Sequence, residues 1–145
     1  MRLLRPASPA QIDLGLFLLR LILGTVFIAH GAQKVFVFGF DGLAAGFAQS
    51  GIPLAGLLAP LVALGELFGG LALVLGLLTR VAATGLAIIM VGAIFSVHLS
   101  GGFFLPAGYE FVLTLMLVAA ALAITGAGSM SVDARLGDRL GVTRR

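Results

Sequence analysis

The sequence predicts an all-α membrane protein: an antiparallel four-helix transmembrane bundle with a short interfacial helix after the first span and an amphipathic helix near the C-terminus. Composition is the first reason. The 145 residues are 60% apolar and 10% charged, with a mean hydropathy of +1.17, whereas a soluble domain carries about 25% charged residues. The second reason is that the apolar residues fall into four stretches, each near the roughly 20 residues that cross a hydrocarbon layer about 30 Å thick. Too little polar surface is left to face water, and one domain covering residues 1–145 is expected at this length.

Helix one is expected at about residues 9–33. Ser8, Pro9 and Gln11 form its start signal: Ser8 as N-cap, Pro9 at the first helical position, and Gln11 reaching back as in a capping box. Asp13 suits the positive end of the helix dipole. Between Lys34 and Pro53 the chain is rich in glycine and phenylalanine, and Asp41 is expected to cap a short interfacial helix that Gly51 and Pro53 terminate. Helix two (54–78) contains Pro60, which either kinks it or marks the start of its regular part. The Thr79-Arg80 turn is so short that helix three (81–99) must return antiparallel beside helix two. A loop with Gly101, Gly102, Phe103, Phe104 and Pro106 leads to helix four (108–125). In the tail (131–141), Val132, Leu136 and Leu140 alternate with Arg135, Asp138 and Arg139, the pattern of an amphipathic helix on a membrane surface. The glycines of the Gly65/Gly69 pair beside Glu66 read as packing positions.

Charge placement predicts topology. Arg2, Arg5, Arg80, Arg135, Arg139, Arg144 and Arg145 lie at the two ends of the chain and in the second turn, while the other two loops offer only Lys34. The excess of basic residues assigns both termini to the cytoplasm in a multi-pass protein of the cell membrane. Lipid headgroups are the expected counter-charge, and a nucleic-acid partner is excluded by the lack of a basic face. With no cysteine, thiol nucleophiles and Cys-ligated zinc or iron–sulfur clusters are excluded. No haem, flavin or nucleotide motif is present either, so a redox role requires a bound cofactor or a partner. A cleaved signal peptide is not expected, because the first apolar stretch is long and contains Arg20.

The ionisable residues within these stretches are the candidates for chemistry. At about 1.5 Å per residue, Arg20 rises roughly 12 Å from the cytoplasmic end of helix one and Glu66 descends roughly 18 Å from the outer end of helix two. In a slab of about 30 Å these depths coincide. A lone mid-membrane charge costs about 2.5–3.5 kcal/mol on insertion scales, so a buried Arg20–Glu66 ion pair is expected. It would fix the register of the two helices.

A second group gathers at the outer end: His30 and Lys34, one turn apart on helix one, with His98, Tyr109 and Glu110 from helices three and four. Individually, Lys34 can snorkel and Glu110 can serve a helix dipole. Together they describe a small amphipathic ligand site. Its histidines can ligate a metal, shuttle protons or hydrogen-bond the carbonyls of a quinone, and the residues do not choose among these.

The ordered set Arg20, Gly24, His30-Gly31, Lys34, Glu66, Gly69-Gly70, Leu75-Gly76-Leu77, Thr79-Arg80, His98, Gly102-Phe103-Phe104, Gly108-Tyr109-Glu110, Gly126, Gly128, Ser131 and Asp133 resembles the DoxX family of small bacterial membrane proteins. The resemblance implies a four-helix membrane fold. For some relatives it implies a place in membrane oxidoreductase complexes, including the quinone-reducing subunit of a thiosulfate-oxidising enzyme, and its distant relatives look like cargo receptors or assembly chaperones. The leading expectation is therefore a membrane subunit of a redox or quinone-linked system, acting as an oxidoreductase only with a soluble or membrane partner. The alternatives are a non-enzymatic lipid- or partner-binding assembly protein and a proton-coupled transporter, and a homo-oligomer fits each of the three.

Overall fold

The computed structural model describes residues 6–141; Arg2, Arg5, Arg144 and Arg145, which enter the topology count, lie outside the described residues. Six α-helices run in the order α1 (Pro9–Ala32), α2 (Gly39–Gln49), α3 (Ala55–Leu75), α4 (Thr79–Ala93), α5 (Glu110–Thr125) and α6 (Val132–Arg139). The protein is an all-α membrane bundle of α1, α3, α4 and α5. Three helical runs, 9–49, 55–75 and 79–101, are long and apolar enough to cross a membrane, and α5 is a shorter apolar helix. The outer surface carries exposed Ile22, Phe68, Ile88, Phe95, Leu117 and Ile124, a lipid-facing coat, around a core of Leu23, Phe27, Leu73, Leu86, Met90, Leu115 and Leu122.

The capping box expected at Ser8 forms: the Gln11 amide donates to Ser8 Oγ and the Ser8 amide donates to Gln11 Oε1. The regular α-helix ends at Ala32, within one residue of the expected bound, but the helical chain does not stop there. It widens into a π-helical segment, Gln33–Phe38, and the chain bends at Gly39, whose φ of +67° is open to glycine without steric cost. That bend, and not Asp41, begins α2; Asp41 lies in the first turn, where its charge meets the helix dipole. Helix α2 folds back on the first half of α3, burying Leu43 against Ala59 and Ala63. Helix α3 continues through Pro60.

Helices α1 and α3 pack backbone to backbone. A Cβ on Gly24 would lie 2.7 Å from the Gly70 carbonyl oxygen, and one on Gly31 would lie 2.4 Å from the Leu67 amide nitrogen. Small residues permit such close approach, and in lipid, where the hydrophobic effect cannot drive helices together, the dispersion contacts it brings supply the association. Gly65 and Gly69 are packing positions as expected, each facing α4 through Ile89 and Leu86. Helices α4 and α5 form the second pair, and the contacts of α3 with α4 and of α5 with α1 close the ring.

Helix α3 ends in a Schellman motif, with the Leu77 amide donating to Ala72 O, the Gly76 amide donating to Leu73 O, and Gly76 at φ +67°. Helix α4 then starts two residues earlier than expected, behind Leu78, which has no side chain to cap it. Asp133 does so from the tail: the Leu78 amide donates to its Oδ1 at 2.7 Å and the Thr79 amide to its Oδ2 at 2.9 Å. The tail helix α6 has its own N-cap in Ser131. Asp13 faces the same tail, where it accepts from the Ser129 amide at 2.9 Å and from Ser129 Oγ.

Two stability outcomes are expected in detergent. Gly31→Ala must displace α3 backbone and should cost about 1–3 kcal/mol or more, whereas Gly15→Ala, with nothing within 4 Å of its new Cβ, should be neutral or stabilising; thermal unfolding of the two variants reads the difference. Asp133→Ala removes the cap of α4 and should cost about 0.5–2 kcal/mol, seen as a lower midpoint and as faster amide exchange at residues 78 and 79.

Candidate ligand site

The structure separates Arg20 from Glu66. With Gly24 against Gly70 and Gly31 against Leu67, Arg20 falls opposite the last turn of α3, about 10 Å along the helix from Glu66. Its guanidinium, fully buried, donates from Nη1 to Leu73 O at 3.0 Å and from Nη2 to Met130 O at 2.6 Å. Leu73 O, which also accepts from the Gly76 amide, lies at the negative end of the α3 dipole, and the Asp133 carboxylate adds its field, so the cation is stabilised there without a direct ion pair among the described residues. The depth estimate treated the two helices as starting level with each other. It missed the offset between the helices, which the glycine contacts set.

Glu66, 3% exposed, pairs instead with Lys34, whose ammonium donates to Glu66 Oε2. Lys34 stands in the π-helical segment that prolongs α1, one turn beyond His30, so the same register that removes Arg20 from Glu66 brings Lys34 to it. His98 arrives from a second π-helical segment, Ile94–His98, at the end of α4. A π turn shifts later side chains around the helix relative to α-helical spacing, and such segments are frequent at functional sites.

Three of the five expected ligand residues gather around this pair. His30, Lys34 and His98 line, with Glu66, Phe27, Met90, Phe111 and Leu115, an inner cavity of about 130 Å³. The other two do not reach it. Glu110 turns to its own loop and accepts from the Leu105 amide at 2.8 Å, and Tyr109 packs edge-on against Phe103, their centroids 5.5 Å apart. The loop that looked like a site wall is thus closed on itself.

A larger cavity of about 570 Å³ lies on the other side of the ion pair, between α2, α3 and α4. Lys34, Glu66 and His98 line it too, and are the polar partition between the two spaces. The remaining walls are mostly apolar, including Phe47, Leu58, Leu61, Val62, Ile88, Ile89 and Val97. Leu61, Ile88 and Val97 are exposed on the lipid-facing surface, so the cavity opens sideways. Gly92 forms part of its wall and has nothing within 4 Å of its Cβ position. This volume suits a small amphipathic molecule, with a few polar groups at one end fixing its orientation.

Sequence reasoning did not put Glu66 in this site, nor find this groove. The available signal was Lys34 itself, a second cation on helix one able to compete with Arg20 for Glu66. Among the described residues no group of three or more His, Asp or Glu side chains is placed to hold a metal ion, so a metal on His30 and His98 would need a further ligand from elsewhere.

A buried pair predicts a specific pattern of unfolding energies. Lys34→Met alone strands the Glu66 charge and should cost about 3–5 kcal/mol, while the double variant Lys34→Met/Glu66→Gln should recover most of that loss. Chemical unfolding in detergent measures the cycle, and equal costs for single and double variants would contradict it.

The DoxX family model matches residues 15–99. A Bacillus subtilis (strain 168) protein with the name "Putative oxidoreductase CatD" is 33% identical, over 83% of this chain and 86% of its own length. A Mycobacterium tuberculosis protein, "Uncharacterized membrane protein Rv3486", is 37% identical over 95% of this chain and 88% of its own. No solved structure matches.

Proposed function

This chain belongs to the DoxX family, and from that premise we propose that it is a membrane subunit of a redox-linked system that binds a quinone at the Lys34–Glu66 partition. The single observation that carries the reading is that Lys34, Glu66 and His98 line both cavities while the larger one opens to lipid through apolar walls. A quinone needs both parts of such a site. Its carbonyls accept hydrogen bonds from the lysine ammonium or a histidine N–H, and its isoprenoid tail leaves between α3 and α4 into the bilayer.

The similarity to a protein named as an oxidoreductase supports the redox half of this reading. The chain has no cysteine, so the electrons come from a partner oxidoreductase or a cofactor held with it. With the topology that the basic residues predict, the site lies towards the outer face, at the end of the bundle away from both termini. His30, exposed on α1 and lining the inner cavity, gives the partition a route for protons.

One observation favours a second reading. The groove walls are apolar enough to hold an acyl chain, as a lipid-binding or assembly protein would require. The two separate on what the protein carries. Native mass spectrometry and solvent extraction of the purified protein should find quinone bound to wild type and to Gly85→Leu, which changes a residue outside both cavities, and not to Gly92→Leu, which fills the groove. Phospholipid in place of quinone would favour the second reading, and neither molecule in any preparation would overturn the quinone site.

A further inference from the structure

Beside the neutral forms of His30 and His98, the described lining of the two cavities holds one cation and one anion, Lys34 and Glu66, and these are bonded to each other. The site is therefore charge-balanced before any ligand enters. Glu66 is almost wholly buried and Lys34 mostly so, which leaves little water to screen a third charge. An anionic or cationic headgroup brought to the partition would stay uncompensated in a low-dielectric setting, and that is costly. An uncharged head bearing oxygen acceptors would meet donors already in place, because the ammonium has three N–H bonds and Glu66 takes one of them.

The route of entry points to the same class. The groove rim is formed by Leu61, Ile88 and Val97 on the lipid-facing surface, so a ligand arrives through the hydrocarbon region, where a charged head is penalised again. We infer that the Lys34–Glu66 pair is a charge filter: the site selects uncharged amphiphiles with hydrogen-bond acceptors in the head, and rejects fatty acids, acidic phospholipids and cationic amphiphiles of equal chain length. The inference rests on the ligand site proposed above. It adds the rule by which that site chooses.

The rule predicts how selectivity changes with each charge. Glu66→Gln leaves an unbalanced lysine and should turn the preference towards anions, while Lys34→Gln leaves an unbalanced glutamate and should turn it towards cations. The exchange Lys34→Glu/Glu66→Lys restores balance and should restore the preference for an uncharged head.

Three probes sharing a dodecyl chain test this in phosphatidylcholine nanodiscs: a dodecyl benzoquinone, dodecyl sulfonate and dodecyl trimethylammonium, with concentrations expressed per mole of lipid. Wild type should bind the benzoquinone at least ~tenfold more tightly than either ion, and Gly92→Leu should abolish that binding. Each single charge variant should gain affinity for its opposite ion, and the exchanged pair should regain the wild-type order. Wild type binding an ion as tightly as the benzoquinone, with Gly92→Leu still blocking both, would overturn the charge filter and leave the cavity as a ligand site. Failure of wild type to bind all three would overturn the site itself. Should a charge variant not yield folded protein, the wild-type order of the three probes decides alone.

Discussion

The backbone contact between α1 and α3 at Gly24, Gly31 and Gly70 governs where every intramembrane charge can go. With side chains absent at these points, the helices interlock in one register, and a one-turn slide would drive a Cβ-bearing residue into backbone. Two consequences follow from that single constraint. Arg20 meets the carbonyl end of α3, and Lys34 meets Glu66. The devices differ: Arg20 bonds directly to backbone carbonyls at the negative end of a helix, and Lys34 bonds directly to a carboxylate. Neither device would work with the helices displaced by two turns.

The two ends of the bundle have been given different tasks by the chain. At the end where α1 starts and α6 lies, polar groups tie elements together, Asp13 on the tail, Arg20 on Met130 and Asp133 on the start of α4, beside an open hollow that Arg80 and Asp138 also line. At the opposite end, His30, Lys34 and His98 keep hydrogen-bonding capacity and face cavities. Among the described residues the π-helical segments lie at this second end, one in the continuation of α1 and one in that of α4. Regular geometry builds the frame, and departures from it aim Lys34 and His98 at the cavities.

Much of the fold was legible in the sequence because its causes are local or compositional. Hydropathy located the spans, the Ser8 capping box located the start of α1, and the shortness of the connection, expected at Thr79-Arg80 and found at residues 76–78, made α3 and α4 antiparallel. What could not be read was register between helices, since an estimate of depth treats every helix as starting at the membrane surface. Helix α1 runs on past residue 33 in π form, and the Arg20–Glu66 pairing failed for that kind of reason. The candidate site was half legible. His30, Lys34 and His98 were found from their common level, while Tyr109 and Glu110 share that level but spend their contacts on their own loop. Level is a one-dimensional property, and convergence on a cavity is not.

The cap that Asp133 places on α4 has a consequence for biogenesis. When the hairpin of α3 and α4 first enters the membrane, the residues that will close the start of α4 have not yet been synthesised, and water must serve its amide groups. The same holds for Arg20, which reaches Met130 only after the last span is in place. The segment from Met130 to Asp133 is therefore the closing piece of an assembly whose earlier helices are held provisionally, and this end of the bundle gains its final contacts only after that segment has been made.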